Sequence, residues 1–456
     1  MITRYCSVAR IRLFILPTMF LSLVLCGTRL NAQDKFDNIQ RGNAIQMLHG
    51  VRDTVLKEYY DPTFHGQDMK ARFKAAEDRI QKVQHLDGAL GAIADALSDL
   101  DDSHTFFLPP SRPMSIRYGY RYAMVGDACF VTAVKFDTDA AKKLKPGDQI
   151  LTMEGYRPTR DLLWQLRYFF GVLSPRTSLH LTVRHVDGSQ EFLAVNAEVQ
   201  QLTRVTDMTD EEIYSRYIHE LMNLDHAAWS KYKEYGDALI IWKTTDFVWD
   251  RDKLLRMLGK VGNHQALILD LRGNPGGMVD VLRDFVGGLF DHDVTIATRV
   301  GRKENLKPVE AKTRGSHAFT GKLIVLVDSQ SASAAELFAR VVQLEHRGVV
   351  LGDRSAGAVM EAKDHDFQMG SDVQIFYGLE LTEANLIMSD GKSLEHTGVT
   401  PDQIILPTAA DLAAGRDPVL AKAAQLAGYD KLDPVAAGKL FPPVWAVGTT
   451  VVSVSE

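Results

Sequence analysis

The stretch KLIVLVDSQSASAAELFARVVQLEHRGVVLGD, residues 322–353, decides the fold class. It begins with the apolar run LIVLV and ends with the apolar run GVVLG, and both have the length of a buried strand. Between them lies a segment with the apolar spacing of one helix face, formed by Leu337, Phe338, Val341 and Val342. Apolar strands connected through a helix predict a mostly parallel α/β sheet that is covered on both faces.

The same alternation extends to both sides of this stretch. The runs ALIIW and ALILDLRG precede it, with amphipathic segments between them, and GVTPDQIILP follows it. We therefore predict an α/β core over residues 201–418. A short helical stretch at 409–428 and a valine-rich end come last, and residues 419–456 are interpreted as a C-terminal tail.

Two regions of different pattern precede the core. Residues 33–112 show helical periodicity, for example at Ile45, Leu48 and Val51, and end at the proline-rich LDDSHTFFLPPSRP. Residues 113–200 change to short alternating strands with an Asp-Gly turn signal. Within them, AAKKLKPGDQILTMEGYRP resembles part of a PDZ domain. That resemblance implies an inserted PDZ-like domain, which would bind the C-terminal part of a peptide by strand addition.

The first residues predict export. Three arginines precede an apolar stretch from Leu13 to Cys26, and Leu30-Asn31-Ala32 follows, which is the layout of a secretory signal peptide over residues 1–32. The apolar run is shorter than the roughly 20 residues that a membrane span needs, so an uncleaved anchor is the less favoured alternative. We expect a periplasmic or secreted protein of a bacterial envelope.

Composition narrows the function classes. The chain has 456 residues, 45% of them hydrophobic and 24% charged, and a formal net charge of -6, all ordinary values for folded soluble protein. No lysine or arginine run is present of the kind that neutralises phosphates, so nucleic acid is not an expected partner. Only Cys129 remains after the predicted cleavage, which excludes an internal disulfide framework. No Cys/His cluster of metal-site type occurs, and we expect neither a metal nor a cofactor.

Two turns of the core carry candidate chemistry. In LILDLRGNPGG, a buried strand runs into a turn where Gly276 and Gly277 leave backbone N–H groups unobstructed, so the turn can bind an anion. No GK[ST] follows, which argues against a nucleotide loop. In VDSQSASAAELFA, a strand delivers Ser331 and Ser333 to a helix N-terminus, where free N–H groups can form part of an oxyanion hole. The alternative for either serine is N-capping of the helix.

The combination of DLRGNPGG, SQSASAAE and LEHTGVTPDQII resembles the S41 peptidase family of carboxyl-terminal processing and tricorn-like proteases. The resemblance extends from the N-terminal helices to the end of the predicted core. It implies a ClpP/crotonase-like catalytic core and places the family nucleophile at Ser333. It also implies oxyanion donors in the backbone N–H groups of Gly276, Gly277 and Ala334.

The resemblance offers two candidate bases. One branch of the family uses a lysine in the turn after the next strand, but in the matching turn SAGA this position is Ala358, and Lys363 is the nearest lysine. The tricorn-like branch instead takes a Ser-His pair from the N-terminal region and a glutamate from the C-terminal strand region. The matching residues here are Ser103, His104 and Glu395.

The resemblance to the tricorn-like branch implies that His104 accepts the Ser333 proton, while Glu395 or Ser103 fixes the tautomer and orientation of the imidazole. For the glutamate position, His396 is an alternative catalytic contact. Asp101 and Asp102 are interpreted as helix-end or surface charges, and Arg272 as a residue that holds the glycine turn.

Two hypotheses follow for the function. The first is an exported serine endopeptidase that acts on polypeptide substrates without metal or cofactor, by acylation of Ser333 with His104 as base. The second is a non-catalytic binding protein on the same scaffold, because a fold does not fix a function. A Ser-Lys peptidase with Lys363 as base remains a variant of the first hypothesis.

Overall fold

The computed structural model describes residues 36–112, 114–201, 230–370 and 374–442. The predicted signal peptide at 1–32 and the end of the predicted tail, from 443 onward, lie outside the described residues. Within the described ranges, no helix combines the length and the apolar character that crossing a bilayer requires.

A mostly parallel sheet forms the centre of the core. Its strands, in their order across the sheet, are β18 (Gln403–Ile404), β15 (Gly348–Gly352), β14 (Lys322–Val327), β11 (Ala266–Asp270), β10 (Leu239–Lys243) and β9 (Lys231–Tyr235). Neighbouring strands pair in parallel, except for β9 with β10. The apolar runs of the sequence form β10, β11, β14 and β15, which confirms the α/β class.

Helices cover both faces of this sheet, because alternate strand residues point to opposite sides. Trp242 and Leu269 face one layer. That layer consists of α6 (Arg251–Val261), α7 (Val279–Leu289) and α8 (Ala334–Leu344). Ile241 and Ile268 face the other layer. Its helices are α10 (Pro418–Ala427) and α11 (Pro434–Gly438), which follow the short α9 (Ala409–Ala413).

The C-terminal helices are part of the core rather than a tail. Val419, Leu420 and Ala423 are each at most 3% exposed and belong to the same cluster as the sheet residues. The core therefore extends past residue 418, where the sequence pattern placed its end.

A second, antiparallel sheet packs with the N-terminal helices. Its strands are β1 (Phe106–Leu108), β17 (Ile375–Ile387), β12 (Val294–Gly301) and β13 (Val309–Ala311), and β16 (Met360–Met369) also pairs with β17. The helices are α1 (Asn38–Glu58), α2 (Met69–Lys82) and α3 (Leu86–Leu97). They share one apolar cluster with Tyr377, Leu379 and Leu381 of β17. Through β1 and β17, the helical region is fastened to the core.

The middle of the chain forms a separate antiparallel sheet with its own apolar cluster. The strands pair in chain order: β3 (Tyr120–Val125), β4 (Ala128–Val134), β5 (Gln149–Met153), β6 (Ser178–Arg184) and β7 (Gln190–Asn196). The helices of this region are α4 (Asp139–Lys143) and α5 (Arg160–Tyr168). At its two ends, β2 (Met114–Arg117) pairs with β8 (Glu198–Gln201), so the segment starts and finishes at one two-stranded stem.

The topology collects several loops at one edge. The carboxyl ends of the parallel strands β11, β14 and β15 lead into the turns at 271–278, 328–333 and 353–358. Such an edge is where ligands and substrates bind in open α/β sheets. Two segments of the second sheet also reach this edge. They are residues 101–105, before β1, and the residues that follow β17.

Candidate active site

The glycine turn after β11 touches the start of α8. Gly276 and Gly277 have φ values of 104° and 142°, a region that side chains other than glycine rarely adopt. A Cβ built on Gly276 would lie 2.6 Å from Ser333 Cβ and 3.0 Å from Ala334 N. The backbone of the turn thus lies directly against Ser333, and only glycine leaves room for it.

The predicted oxyanion donors differ in availability. The N–H of Gly276 donates to Asn274 Oδ1 at 2.8 Å, so this group is already engaged. Asn274 is fully buried, and its amide donates in turn to Thr244 O at 3.1 Å. The prediction that Gly276 contributes a donor is therefore corrected by the geometry, and the N–H groups of Gly277 and Ala334 remain as candidates.

Ser333 stands at the N-cap of α8 in an uncommon backbone conformation, with φ 53° and ψ -120°. Non-glycine residues in such regions cost free energy and persist where the surrounding structure holds them. The backbone N–H of Ser333 donates to Ala358 O at 2.8 Å, in the turn after β15. The glycine turn on one side and the turn after β15 on the other therefore fix the backbone position of Ser333.

The neighbouring serines are engaged in holding the turn. Ser331 is fully buried, and its Oγ donates to Leu271 O at 2.8 Å and accepts the N–H of Asp328 at 2.9 Å. Ser329 Oγ donates to Met124 O at 2.6 Å. These bonds give Ser329 and Ser331 structural roles, which favours Ser333 as the nucleophile.

Glu336, for which the sequence indicated no role, holds the Ser333 turn and the 355–358 turn together. Its carboxylate accepts hydrogen bonds from Ser355 Oγ at 2.5 Å, Gly357 N at 2.7 Å and Ala358 N at 2.9 Å. It also accepts the N–H of Ser333 at 3.1 Å. Complete burial raises the pKa of Glu336 to about 7, and the hydrogen bonds oppose that shift. A glutamate three residues after a serine at a helix start is typical of a capping box, and this spacing is the feature of the sequence that could have indicated the role of Glu336.

On the other side of the site, Ser103, His104 and Glu395 form one hydrogen-bonded group. Ser103 Oγ lies 2.7 Å from His104 Nδ1 and donates to Glu395 Oε2 at 2.9 Å. The backbone N–H of Ser103 donates to Glu395 Oε1 at 2.7 Å. The structure therefore brings together the three residues that the resemblance singled out, although Glu395 is 292 positions from Ser103.

This arrangement determines the histidine tautomer. A serine hydroxyl has one hydrogen, and Ser103 directs it toward Glu395, so its oxygen accepts a hydrogen from Nδ1 of His104. Nε2 then carries the lone pair of the neutral ring. Burial lowers the pKa of His104, and the charges of Glu395 and Asp102 oppose that shift. At neutral pH the imidazole is consequently uncharged and able to accept a proton.

One strand connects the two sides. Ala358 O accepts the N–H of Ser333, and the next residue, Val359, donates its N–H to Glu395 Oε2 at 2.7 Å. The hydrogen-bonded path therefore runs from Ser333 through 358–359 and Glu395 to the Ser103–His104 pair. The carboxylate of Glu395, which accepts from Ser103, thus also binds the segment whose Ala358 accepts the N–H of Ser333.

Asp102 is a buried positioning residue rather than the surface charge that the sequence suggested. It is 9% exposed, accepts Tyr59 Oη and Thr382 Oγ1, each at 2.7 Å, and accepts the backbone N–H of His104 at 3.0 Å. It thereby fixes the main chain at the histidine. Asp101, in contrast, is exposed, with φ 54°.

The two alternative residues differ in place. His396 is largely exposed and lies beside the catalytic group, with its Nε2 2.8 Å from Asp101 O and 3.9 Å from Glu395 Oε1. Lys363 lies on β16 in register with Leu381, where its charge acts on Glu58 and His365. Neither residue takes part in the hydrogen bonds that join Ser103, His104 and Glu395.

Arg272 holds the glycine turn, as its sequence position suggested. Its guanidinium donates to Asp270 at 2.8 Å and to Asp417 at 2.9 and 2.7 Å. Asp417 also caps α10, since it accepts the N–H of Leu420 at 2.9 Å. The helix α10 and the glycine turn are thus connected through one half-buried arginine.

Comparison with known proteins agrees with the motifs. Residues 243–405 match the model of peptidase family S41. Carboxyl-terminal-processing peptidase 3, chloroplastic, of Arabidopsis thaliana is 21% identical over 365 residues, which are 76% of this chain and 66% of that protein. The carboxy-terminal-processing protease of Bartonella bacilliformis is 30% identical over 168 residues, 37% of each chain. The chain thus spans less than two thirds of the length of either relative.

Solved structures share the fold. The structure described as mature CPAF superposes with a TM-score of 0.61 at 15% sequence identity, over 82% of this chain and 95% of that one. The photosystem II D1 C-terminal processing protease superposes with a TM-score of 0.50 at 18% identity, over 87% and 99% of the two chains. The segment 243–405 is thus similar to peptidase family S41, and the mixed α/β fold is shared with solved structures that include a processing protease.

Proposed function

We propose that this chain is a serine endopeptidase that hydrolyses polypeptides through Ser333, with His104 as the general base. The observation that carries the proposal is the hydrogen-bonded group of His104, Ser103 and Glu395, which reaches the Ser333 turn through Val359. A binding protein has no need of a neutral, oriented imidazole at a strained serine. The names of the relatives, which are processing proteases, support the same activity.

In this mechanism, His104 Nε2 takes the proton of Ser333 Oγ as the oxygen attacks the scissile carbonyl. The resulting oxyanion is stabilised by backbone N–H groups, for which Gly277 and Ala334 are the candidates. The imidazolium, held by Ser103 and Glu395, then gives its proton to the leaving amine as the C–N bond breaks. In the second half, His104 takes a proton from water as the water oxygen attacks the Ser333 ester, and it returns that proton to Ser333 Oγ as the ester C–O bond breaks and the acid product leaves.

A fluorophosphonate probe tests this assignment directly, because it labels activated serines and leaves capping serines unmodified. We expect one labelled site, at Ser333, in the purified protein. Ser103→Ala and His104→Ala should each lose labelling, whereas Lys253→Gln, an exposed change on α6, should label as the wild type does. A wild-type protein that remains unlabelled would favour the non-catalytic binding hypothesis.

We extend the proposal to the architecture. The parallel sheet with its helices would be a ClpP/crotonase-like core, and residues 113–200 an inserted PDZ-like domain, supported by the separate sheet β3–β7 and the stem β2–β8. Strand addition to β3 is the expected peptide-binding mode. Two carbonyl groups of β3 already accept hydrogen bonds: Tyr122 O from Arg167 and Met124 O from Ser329. A peptide added to β3 would have to replace these bonds, and the bond from Ser329 belongs to the turn that carries Ser333.

The proposed setting is the periplasm or the medium of a bacterial culture, with polypeptides as substrates. It rests on the arginines, the apolar stretch and the Leu30-Asn31-Ala32 segment at the N-terminus. We expect the mature protein to begin near Gln33. N-terminal sequencing that finds Met1, or an acylated Cys26, would contradict export by cleavage.

A further inference from the structure

A basic cavity of about 490 Å³ lies where the loop after β12 meets the end of α1 and the middle of β17. Its lining contains five cations: Lys57, Arg299, Arg302, Lys303 and Lys307. None of them belongs to the catalytic group described above. The loop at 302–308, which carries three of them, also had no role in the sequence motifs.

The cavity keeps an excess of positive charge after its ion pairs are counted. Glu58 Oε1 lies 3.1 Å from Lys57 Nζ, and Glu361 binds Arg299 through two hydrogen bonds, one of them 2.8 Å long. Glu383 is the third carboxylate of the lining. Three cations, on residues 302, 303 and 307, therefore face a single remaining carboxylate. A concave surface lined by charge of one sign concentrates ligands of the opposite sign.

Part of this charge is held rigidly. The Nε of Arg302 donates to Tyr59 O at 2.8 Å, and its guanidinium lies 5.8 Å from the centre of the Phe64 ring. Arg299 Nη1 donates to the carbonyl of Lys307 at 3.0 Å, which fastens the end of the loop. Within the part of the chain that the structure describes, the ammonium groups of Lys303 and Lys307 form no ion pair.

Backbone and side-chain contacts connect the cavity with the catalytic group. Tyr59 donates its hydroxyl to Asp102 while its carbonyl accepts from Arg302. Glu383 follows Thr382, which also binds Asp102. Glu361 lies two residues beyond Val359, about 7 Å along a strand. Tyr59 alone spans the space between Asp102 and Arg302, so a peptide bound at Ser333 needs only a few residues beyond the scissile bond to reach the cavity.

We propose that this cavity is a specificity subsite that binds a carboxylate of the polypeptide substrate, either an acidic side chain or the C-terminal group. The inference depends on the proposed peptidase activity and adds to it the substrate class: peptides with negative charge at a fixed distance from the cleaved bond. A neutral side chain at the same position would leave Lys303 and Lys307 without a partner and gain nothing from them.

The first experiment maps cleavage sites in denatured casein by mass spectrometry, for the wild type, Lys303→Gln/Lys307→Gln and the control Lys253→Gln. We expect aspartate, glutamate or chain ends to be enriched at one fixed distance from the sites that the wild type and the control cleave. In the double variant, cleavage at those sites should fall about three- to tenfold relative to neutral sites, as expected for two partly exposed ion pairs. Enrichment that is absent, or unchanged in the double variant, would overturn the inference.

The second experiment does not depend on turnover. In the Ser333→Ala background, fluorescence anisotropy compares fluorescein-labelled hexaglutamate with labelled hexaglutamine at low salt. We expect tighter binding of hexaglutamate, lost in the Lys303→Gln/Lys307→Gln variant and kept with Lys253→Gln. Equal affinities would refute the subsite, and displacement by inorganic phosphate at concentrations where acetate has no effect would assign the cavity to phosphate instead. If casein is not cleaved but hexaglutamate binds as described, the peptidase proposal fails while the anion site stands.

Discussion

Val359 donates its backbone N–H to the carboxylate of Glu395 at 2.7 Å, and this bond joins the two halves of the site. On one side, the neighbouring Ala358 holds the backbone of Ser333. On the other, Glu395 holds Ser103 and, through it, His104. Ser333 and His104, the proposed nucleophile and base, come from sequence regions more than 200 residues apart. The Glu395 carboxylate, together with the backbone bond from His396 N to Gly357 O, therefore sets the relative position of groups that the chain order does not place together.

Replacing Ser333 by alanine should abolish peptide hydrolysis and leave the fold intact. The change removes one hydroxyl at a helix start, and loss of a cap costs about 1 kcal/mol, too little to unfold a domain of this size. Turnover of casein and the thermal unfolding midpoint are the two measurements. Residual turnover above a few per cent of the wild type would shift the assignment to Ser331.

Ser331→Ala provides the matched comparison, because its buried hydroxyl bridges Leu271 and Asp328. Its removal leaves a buried backbone donor without its partner, which costs about 1–3 kcal/mol. We expect a lower unfolding midpoint with measurable activity, the opposite pattern to Ser333→Ala.

His104→Ala and Lys363→Ala separate the two possible bases. Without His104, Ser333 has no proton acceptor, and turnover should fall by several orders of magnitude. Lys363 lies beyond the site along β16, so its replacement should change turnover little. Measuring both variants on one peptide substrate decides between them. An inactive Lys363→Ala beside an active His104→Ala would favour a Ser-Lys peptidase with Lys363 as base.

Sequence alone predicted the elements that depend on local pattern. The apolar runs of β11, β14 and β15 and the helix face of α8 follow from periodicity, and the small residues of the two turns mark where backbone must approach backbone. The resemblance to S41 peptidases placed the glycine turn beside the Ser333 turn, and the shared edge of the parallel strands is the physical reason that the two turns meet.

Residues that act through burial were missed, because burial depends on distant contacts. Asp102 follows another aspartate and resembles a surface charge in the sequence, yet Tyr59 and Thr382, 43 and 280 positions away, enclose it. Glu336 lies inside a recognised motif, but its role depends on Ser355, Gly357 and Ala358, which come from the next turn. No local pattern specifies either set of partners.

Glu336→Gln should lower the unfolding midpoint, because an amide presents two hydrogens to a place surrounded by donors. The cost of an unsatisfied buried donor is about 1–3 kcal/mol. The folded-state pKa of Glu336 is raised from 4.5 to about 7 by burial, so its contribution to stability is full below about pH 4.5 and is lost as pH rises through 7. The difference in midpoint between wild type and variant should therefore narrow from pH 5 to pH 8. A difference that stays constant or widens would contradict the raised pKa.

Glu395→Gln should lower turnover and move the acid limb of the pH profile. Since the base works only as neutral imidazole, kcat/KM of the wild type falls on acidification through the pKa of His104, which burial places below its ordinary 6.5. The negative charge of Glu395 raises that pKa, so its removal should shift the acid limb to still lower pH. At the plateau, weaker support of the imidazolium should reduce kcat by roughly 10- to 1000-fold. Profiles of kcat/KM from pH 4 to 8 check both expectations, with Lys363→Ala as the control whose acid limb should not move. An unchanged limb in Glu395→Gln would mean that the glutamate does not act on the catalytic base and only fastens Val359.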